Sequence, residues 1–389
     1  MTSIYLDAHA NARLAPEAME AMSRAYAQPG NPHAANAAGL RASSIVEQAR
    51  AQVASLISAA PSEIIFTSGA TEANNLAIIG LSRAAASAGD RRRTIATSAV
   101  EHASVTEAAK ALVREGFRHV ILPVDSSGKV SVRALTNLAD GGDLLLVSVT
   151  AADGEIGRIQ PIADIGKAAH FAGAIVHSDA SQSAGRVGVD VDHMDVDALS
   201  ISSHKMHGPA GIGALYINPA IVRPEPLLHG GGQERGIRPG TIPVALACGF
   251  GAAAAVAQSR KVADRVHCTA LVEQFEAMLR ARSVSFRVNG EREQRLPGSL
   301  NIRFGGVDGD SVIDALGENL AVSTGSACSS GKLEGSHVLR AIGLSEEEAR
   351  SSVRLCFDRY NTPEEAAMAA ESIAAVVKRF GIAAGEFVQ

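Results

Sequence analysis

The sequence predicts an α/β fold, with a mostly parallel sheet between helices, followed by a smaller α+β unit. Three observations carry this. Short strand-like runs alternate with helical runs through the first two thirds of the 389 residues. Several of those strands are apolar on both faces, as strands buried in the middle of a parallel sheet are. From about residue 242 the alternation gives way to long helices with isolated strands, and a chain of this length usually divides between two cores.

The elements follow in order. Residues 63–67 read as a strand and 71–88 as a helix. A strand at 94–97 leads to a helix at 103–115. Strands follow at 117–122, 143–149, 174–177, 198–202 and 212–217. Beyond residue 242 a long helix runs to 260–281. After it come strands at 284–288 and 299–304, a helix at 310–320, a strand at 353–357 and a helix at 363–380. There are no internal repeats, charge blocks or low-complexity tails.

Bulk composition narrows the function. Hydrophobic residues make up 46% and charged residues 20%, ordinary values for a globular protein. The net charge of −5 provides no electrostatic footprint for nucleic acid or an anionic membrane surface, so neither is expected as a partner. The first residues lack a basic segment followed by an apolar one, which argues against a signal peptide. The most apolar stretch, 242–257, is Ala- and Gly-rich and too short to span a bilayer. Four cysteines without a Cys-x-x-Cys pair fit neither a zinc ribbon nor a disulfide scaffold, and a reducing cytoplasm is the expected compartment. Cys248, Cys268 and Cys356 sit in packing contexts and are expected to be buried. Cys328 stands among Ser, Thr, Gly and Ala, a loop composition that leaves a thiol accessible.

The chemistry concentrates after strands. Lys205, in Ser202-Ser-His204-Lys205, follows the 198–202 strand and precedes a Gly-rich turn. A lysine there points toward the crevice at the carboxyl edge of an α/β sheet, where ligands bind. Pyridoxal 5′-phosphate requires such a lysine, together with an acid for its pyridinium nitrogen; Asp179 ends the preceding strand. Either residue alone is equally compatible with a surface lysine and a helix cap. The turn Thr67-Ser-Gly-Ala70-Thr71 joins a strand to a helix and offers free N–H groups to an anion, without the glycine pattern of a Walker or dinucleotide loop. His102 follows another strand. The segment 230–241 is rich in glycine and carries Arg235 and Arg238; as a sequence it is also an ordinary surface loop. Arg354 is a candidate clamp for a carboxylate, or one half of an ion pair.

Together these motifs resemble one family. Gly69-Ala70-Thr71-Glu72, Glu101-His102, Asp179-Ala-Ser-Gln182, Ser202-x-His204-Lys205, Arg238-x-Gly-Thr241, Gly325-Ser-Ala-Cys328 and Ser351-Ser-Val-Arg354 occur in the order found in the cysteine desulfurases, which are fold-type I pyridoxal-phosphate enzymes of the class V aminotransferase group. The likeness runs from Tyr5 to about Arg379, and the Ser/Gly-rich cysteine loop is similar to that of the housekeeping branch.

The resemblance implies a seven-stranded, mostly parallel sheet in a large domain (14–256), with a small domain built from 1–13 and 257–389. It implies that Lys205 carries the cofactor and moves protons at Cα. Asp179 would pair with the ring nitrogen, Gln182 with the ring hydroxyl, and His102 would stack on the ring. Ala70, Thr71, Ser202, His204 and a partner subunit's residue equivalent to Thr241 would hold the phosphate. Arg354 would bind the substrate carboxylate. Cys328 would accept sulfur from L-cysteine, releasing alanine, and pass it to an acceptor protein. The family is homodimeric. Related possibilities are the same chemistry on selenocysteine or another β-substituted amino acid, and a persulfide relay with weak catalysis. Three places depart from the pattern: Asp153-Gly154 stands for Asn-Asn, Ala10-Asn11-Ala12 for Ala-Thr-Thr, and His33-Ala-Ala-Asn36 follows Gly-Asn-Pro. All three are expected near the cofactor or its entrance.

Overall fold

The computed structural model describes residues 3–325 and 335–380. The chain opens with β1 (Ile4–Tyr5), α1 (Pro16–Tyr26) and α2 (Ala37–Leu56). Asn36 caps α2, its side chain accepting the N–H of Gly39. β2 (Ile64–Thr67) runs into α3 (Ala70–Asn75), a π turn at Leu76–Gly80, and α4 (Leu81–Ser87). The helix expected over 71–88 therefore exists but carries an extra residue in its middle.

The chain continues through β3 (Thr94–Ser98), α5 (Ala103–Val113), β4 (Arg118–Leu122), α6 (Val132–Ala139) and β5 (Leu144–Ser148). Next come α7 (Ile162–Phe171), β6 (Ile175–Asp179), α8 (Val191–Met194), β7 (Ala198–Ser202) and β8 (Gly213–Ile217). Seven of these strands form one sheet in the order β2-β8-β7-β6-β5-β3-β4. All run parallel except β8, which is antiparallel to both β2 and β7. β2, β3, β5, β6, β7 and β8 are buried along their length, which explains their continuous apolar runs.

The remainder is α9 (Val244–Ala281), β9 (Arg287–Val288), β10 (Ser299–Arg303), α10 (Gly309–Leu316), β11 (Leu320–Ala321), α11 (His337–Ala341), α12 (Glu346–Arg350), β12 (Ser352–Cys356) and α13 (Pro363–Arg379). α10 stops earlier than the sequence suggested because Gly317 turns the backbone to φ 56°. α13 begins with a capping box between Thr362 and Glu365.

The apolar interior divides into two main cores. One joins Phe66, Val147, Val176, Leu199 and Phe250 around the large sheet. The other joins Leu6, Phe275, Leu300, Leu355 and Ile373 around β10 and β12. The 38-residue α9 serves both: its first half buries Phe250 and Ala254, its last half Leu271 and Phe275. Its glycines permit close packing. A Cβ on Gly251 would lie 2.6 Å from the Cα of Ala49 in α2. No helix of the described residues is long and apolar enough to cross a membrane.

Candidate functional site

β2, β3, β6 and β7 are mutually parallel, so their carboxyl ends lie on one edge of the sheet. That edge receives the start of α3, His102, Asp179 and Lys205. The sequence could propose each of these; the topology collects them.

Lys205 ends a short 3₁₀ turn (Ser203–Lys205) directly after β7. Its Nζ donates to the carbonyl oxygens of His9 (2.5 Å) and Ala10 (2.7 Å). The N-terminal segment is held there by the Ala12 N–H, which donates to the His204 carbonyl (2.9 Å). Ser202 Oγ and His204 Nδ1 lie 2.8 Å apart, and burial with the neighbouring Lys205 charge pushes the His204 imidazole down to about 4.

Asp179, the last residue of β6, is buried. Its Oδ1 accepts from the Ser181 N–H (2.9 Å) and hydroxyl (2.5 Å), and its Oδ2 from Asn74 Nδ2 (2.7 Å). The Asn74 amide also donates to Ser104 Oγ (2.8 Å), which lies 2.8 Å from His102 Nδ1. His102 caps α5: its Nδ1 accepts the Ser104 N–H (3.1 Å), so a neutral ring carries its proton on Nε2. The rest of His102 is exposed on that edge. Asn74 and Ser104, which connect His102 to Asp179, were missed by sequence reasoning. The available signal was spacing, since Asn74 lies one helical turn beyond Thr71.

Ala70 and Thr71 open α3, with Thr71 exposed. The turn before them lies flat on the sheet because Gly213 of β8 has no side chain. A Cβ there would come within 2.7 Å of the Gly69 Cα. The 230–241 segment is anchored at two points. Glu234 accepts from the Phe66 N–H (2.7 Å) and pairs with Arg50 (2.7 Å), while Arg238 pairs with Glu72 (2.9 Å). Glu234 and Arg235 adopt φ of 45° and 57°, a left-handed strain that these anchors sustain. Thr241 is exposed on its own chain.

Arg354 is buried in β12. Its guanidinium donates to Asp7 Oδ1 (2.9 Å), Ser323 Oγ (3.1 Å) and the Gly154 carbonyl (3.1 Å), and its Nε has no partner among the described residues. It is thus one half of an ion pair, set against the 153–158 turn. Cys328 lies outside the described residues.

One expectation needs correction. Cys248 is half-buried rather than buried, because it faces a surface cavity between α9 and the α1–α2 pair; Cys268 and Cys356 are buried. His33 lines a cavity with Glu47, Arg50, Glu234 and Arg235, beside the 230–241 segment. Asp153 is buried. It folds its own loop by accepting the N–H groups of Glu155 (2.9 Å), Ile156 (2.7 Å) and Arg158 (2.8 Å).

The residues present fit pyridoxal phosphate. A buried carboxylate retains an acceptor position on Oδ2, a lysine stands at the end of the adjacent strand, and two buried polar atoms, Asn74 Oδ1 and His9 Nε2, have no partner among the described residues.

Comparison with known proteins agrees. The aminotransferase class-V family matches residues 4–368. The cysteine desulfurase IscS of Rickettsia bellii is 42% identical over 379 residues, covering 97% of this chain and 91% of that protein. A solved NifS-like protein superimposes with a TM-score of 0.90 at 33% identity, covering 97% of this chain and 100% of that one. The structure of SspA in complex with cysteine gives 0.78 at 35% identity, covering 92% and 100%.

Proposed function

The chain belongs to the class-V aminotransferase family and is a pyridoxal-phosphate-dependent cysteine desulfurase; from that premise we propose how its residues divide the work. The observation that carries the proposal is the placement of Asp179 and Lys205 at the carboxyl ends of the adjacent strands β6 and β7, with His102 and the start of α3 on the same edge.

Lys205 would carry the cofactor through Nζ and move the proton at the substrate's Cα. Asp179, held by Asn74 and Ser181, would keep the ring nitrogen protonated. Gln182 would bond the ring hydroxyl, and His102, fixed by Ser104, would cover the ring. Ala70, Thr71, Ser202 and His204 would hold the phosphate, joined by a partner subunit's residue equivalent to Thr241 in a homodimer. When bound, the cofactor supplies an electron sink for charge developing at Cα.

Arg354 would receive the substrate carboxylate, either exchanging it for Asp7 or adding it through Nε, which has no partner among the described residues. Cys328 Sγ, as thiolate, would form an S–S bond with the substrate sulfur as the Cβ–S bond breaks. The electron pair stays with Cβ, which takes up a proton, and alanine leaves. The persulfide would then pass to an acceptor protein in the cytoplasm, a compartment that keeps such a thiol reduced, as it would the free Cys248, Cys268 and Cys356.

The deciding assay is alanine release from L-cysteine, run beside selenocysteine, with and without reductant. Alanine from L-cysteine with stoichiometric persulfide on the enzyme supports the reading; turnover of selenocysteine alone replaces it with the related selenium chemistry.

A further inference from the structure

His9 and Gly154 meet at one side chain. Gly154 makes room for Gln182: a Cβ on Gly154 would lie 2.8 Å from Gln182 Nε2 and 3.3 Å from its Cδ. Gln182 uses that room to reach His9. Its Nε2 donates to the His9 carbonyl (3.0 Å), and its Oε1 lies 2.9 Å from His9 Nδ1.

These two contacts fix more than a position. A carbonyl oxygen can only accept, so the Gln182 amino group must face it. Oε1 then faces Nδ1 and must receive a proton from it. His9 is therefore the Nδ1–H tautomer, with Nε2 bearing a lone pair. That Nε2 is buried and has no partner among the described residues, and His9 as a whole is 1% exposed. The ring stays neutral: burial and the positive charges of Arg186, Arg354 and Lys205 hold it well below the ordinary histidine value. Flipping the Gln182 amide would set N–H against N–H and C=O against C=O, so the orientation is locked, and among the described residues one amide hydrogen remains unspent.

We propose that His9 is a positioning residue, which clamps the Gln182 amide so that its remaining N–H is presented to the cofactor, in place of the side chain that Gly154 lacks. This rests on the reading of Lys205 and Asp179 as the cofactor site. Fixing one donor by two hydrogen bonds substitutes for supplying a second donor.

The test perturbs the clamp from both sides. His9→Ala removes the proton donor; Gly154→Ala pushes the amide off it with a Cβ, at a backbone conformation open to alanine. Each should shift the pH midpoint of the bound cofactor's absorbance by roughly 0.5–1 pH unit. Neither should add to the shift of Gln182→Ala when combined with it. His9→Asn, whose amide can donate in place of Nδ1, should keep the wild-type midpoint, and it serves if His9→Ala fails to fold. Independently of cofactor and turnover, ¹⁵N NMR of the cofactor-free protein should give His9 as the Nδ1–H tautomer. An Nε2–H tautomer overturns the proposal, as does a His9→Ala shift that persists undiminished without Gln182. A protein that takes up no cofactor refutes the functional reading instead, and the tautomer measurement still decides the clamp.

Discussion

Glu101 lies one residue before His102 in the chain and should impose a measurable pH dependence on stability. It is 1% exposed. Its Oε1 accepts from Ser98 Oγ and from the Thr150 N–H (2.8 Å), while its Oε2 has no partner among the described residues. Burial raises its carboxyl from 4.5 to about 8, with the Asp179 charge adding to the rise. Folded Glu101 is then protonated at pH values where the unfolded chain's is ionised. The folded state binds more protons, so this contribution is full below pH 4.5 and is lost as the pH rises toward about 8. At about 1.4 kcal/mol per pH unit the full loss is about 5 kcal/mol, an upper bound. For a chain of this length that corresponds to roughly 4–6 °C in Tm. Glu101→Gln is isosteric with the acid form and keeps both bonds to Oε1. Thermal unfolding of wild type and variant between pH 5 and 9 should give similar Tm values near pH 5, an advantage to the variant that grows from there to about pH 8, and no further growth above it. Glu155, raised to about 7 by burial, contributes a slope of the same sign to both proteins, so their difference isolates Glu101. Parallel Tm profiles would refute the reasoning.

Borohydride reduction followed by peptide mass spectrometry should place a pyridoxyl group on Lys205; a label on another lysine overturns its assignment. In a Lys205→Ala background, Asn74→Ala should weaken pyridoxal-phosphate binding by about 10- to 150-fold, the cost of losing a donor to a buried carboxylate, and an unchanged Kd would show that Asp179 does not depend on it. Arg354→Ala should lower kcat/KM for L-cysteine by about 30- to 1,000-fold and also lower Tm, because it strands Asp7; Asp7→Asn, which removes the competing charge, should lower KM rather than raise it. Cys328→Ser should retain the cofactor's absorbance yet form no persulfide, and full desulfurase activity in that variant would sink the proposed sulfur acceptor.

Local chemistry was legible without coordinates. Alternating apolar runs announce the strands because a buried parallel strand has no polar face to show. Lys205 and His102 follow strands in the chain and Asp179 ends one, and a parallel sheet brings strand ends to one edge. The reversed β8 was not legible, since direction leaves no mark on a short apolar run such as 213–217. Nor was the π turn in the helix after β2, which depends on how Leu76–Gly80 packs rather than on any breaker.

The sequence by itself determined the family, the candidate lysine for the cofactor and the departures at 10–12, 33–36 and 153–154. What those departures mean was decided by tertiary structure. As a sequence Asp153 could point toward the site or away from it; its carboxylate is found folding its own turn. Gly154 looks like a lost donor until Gln182 is seen occupying the vacated space. His9 carries no signal at all, because its partner is 173 residues away in the chain and its tautomer follows from a carbonyl and an amide brought together by folding. Composition and spacing report what a residue is and what lies near it along the backbone. Hydrogen bonds across the fold depend on position in space, which only the packed chain defines.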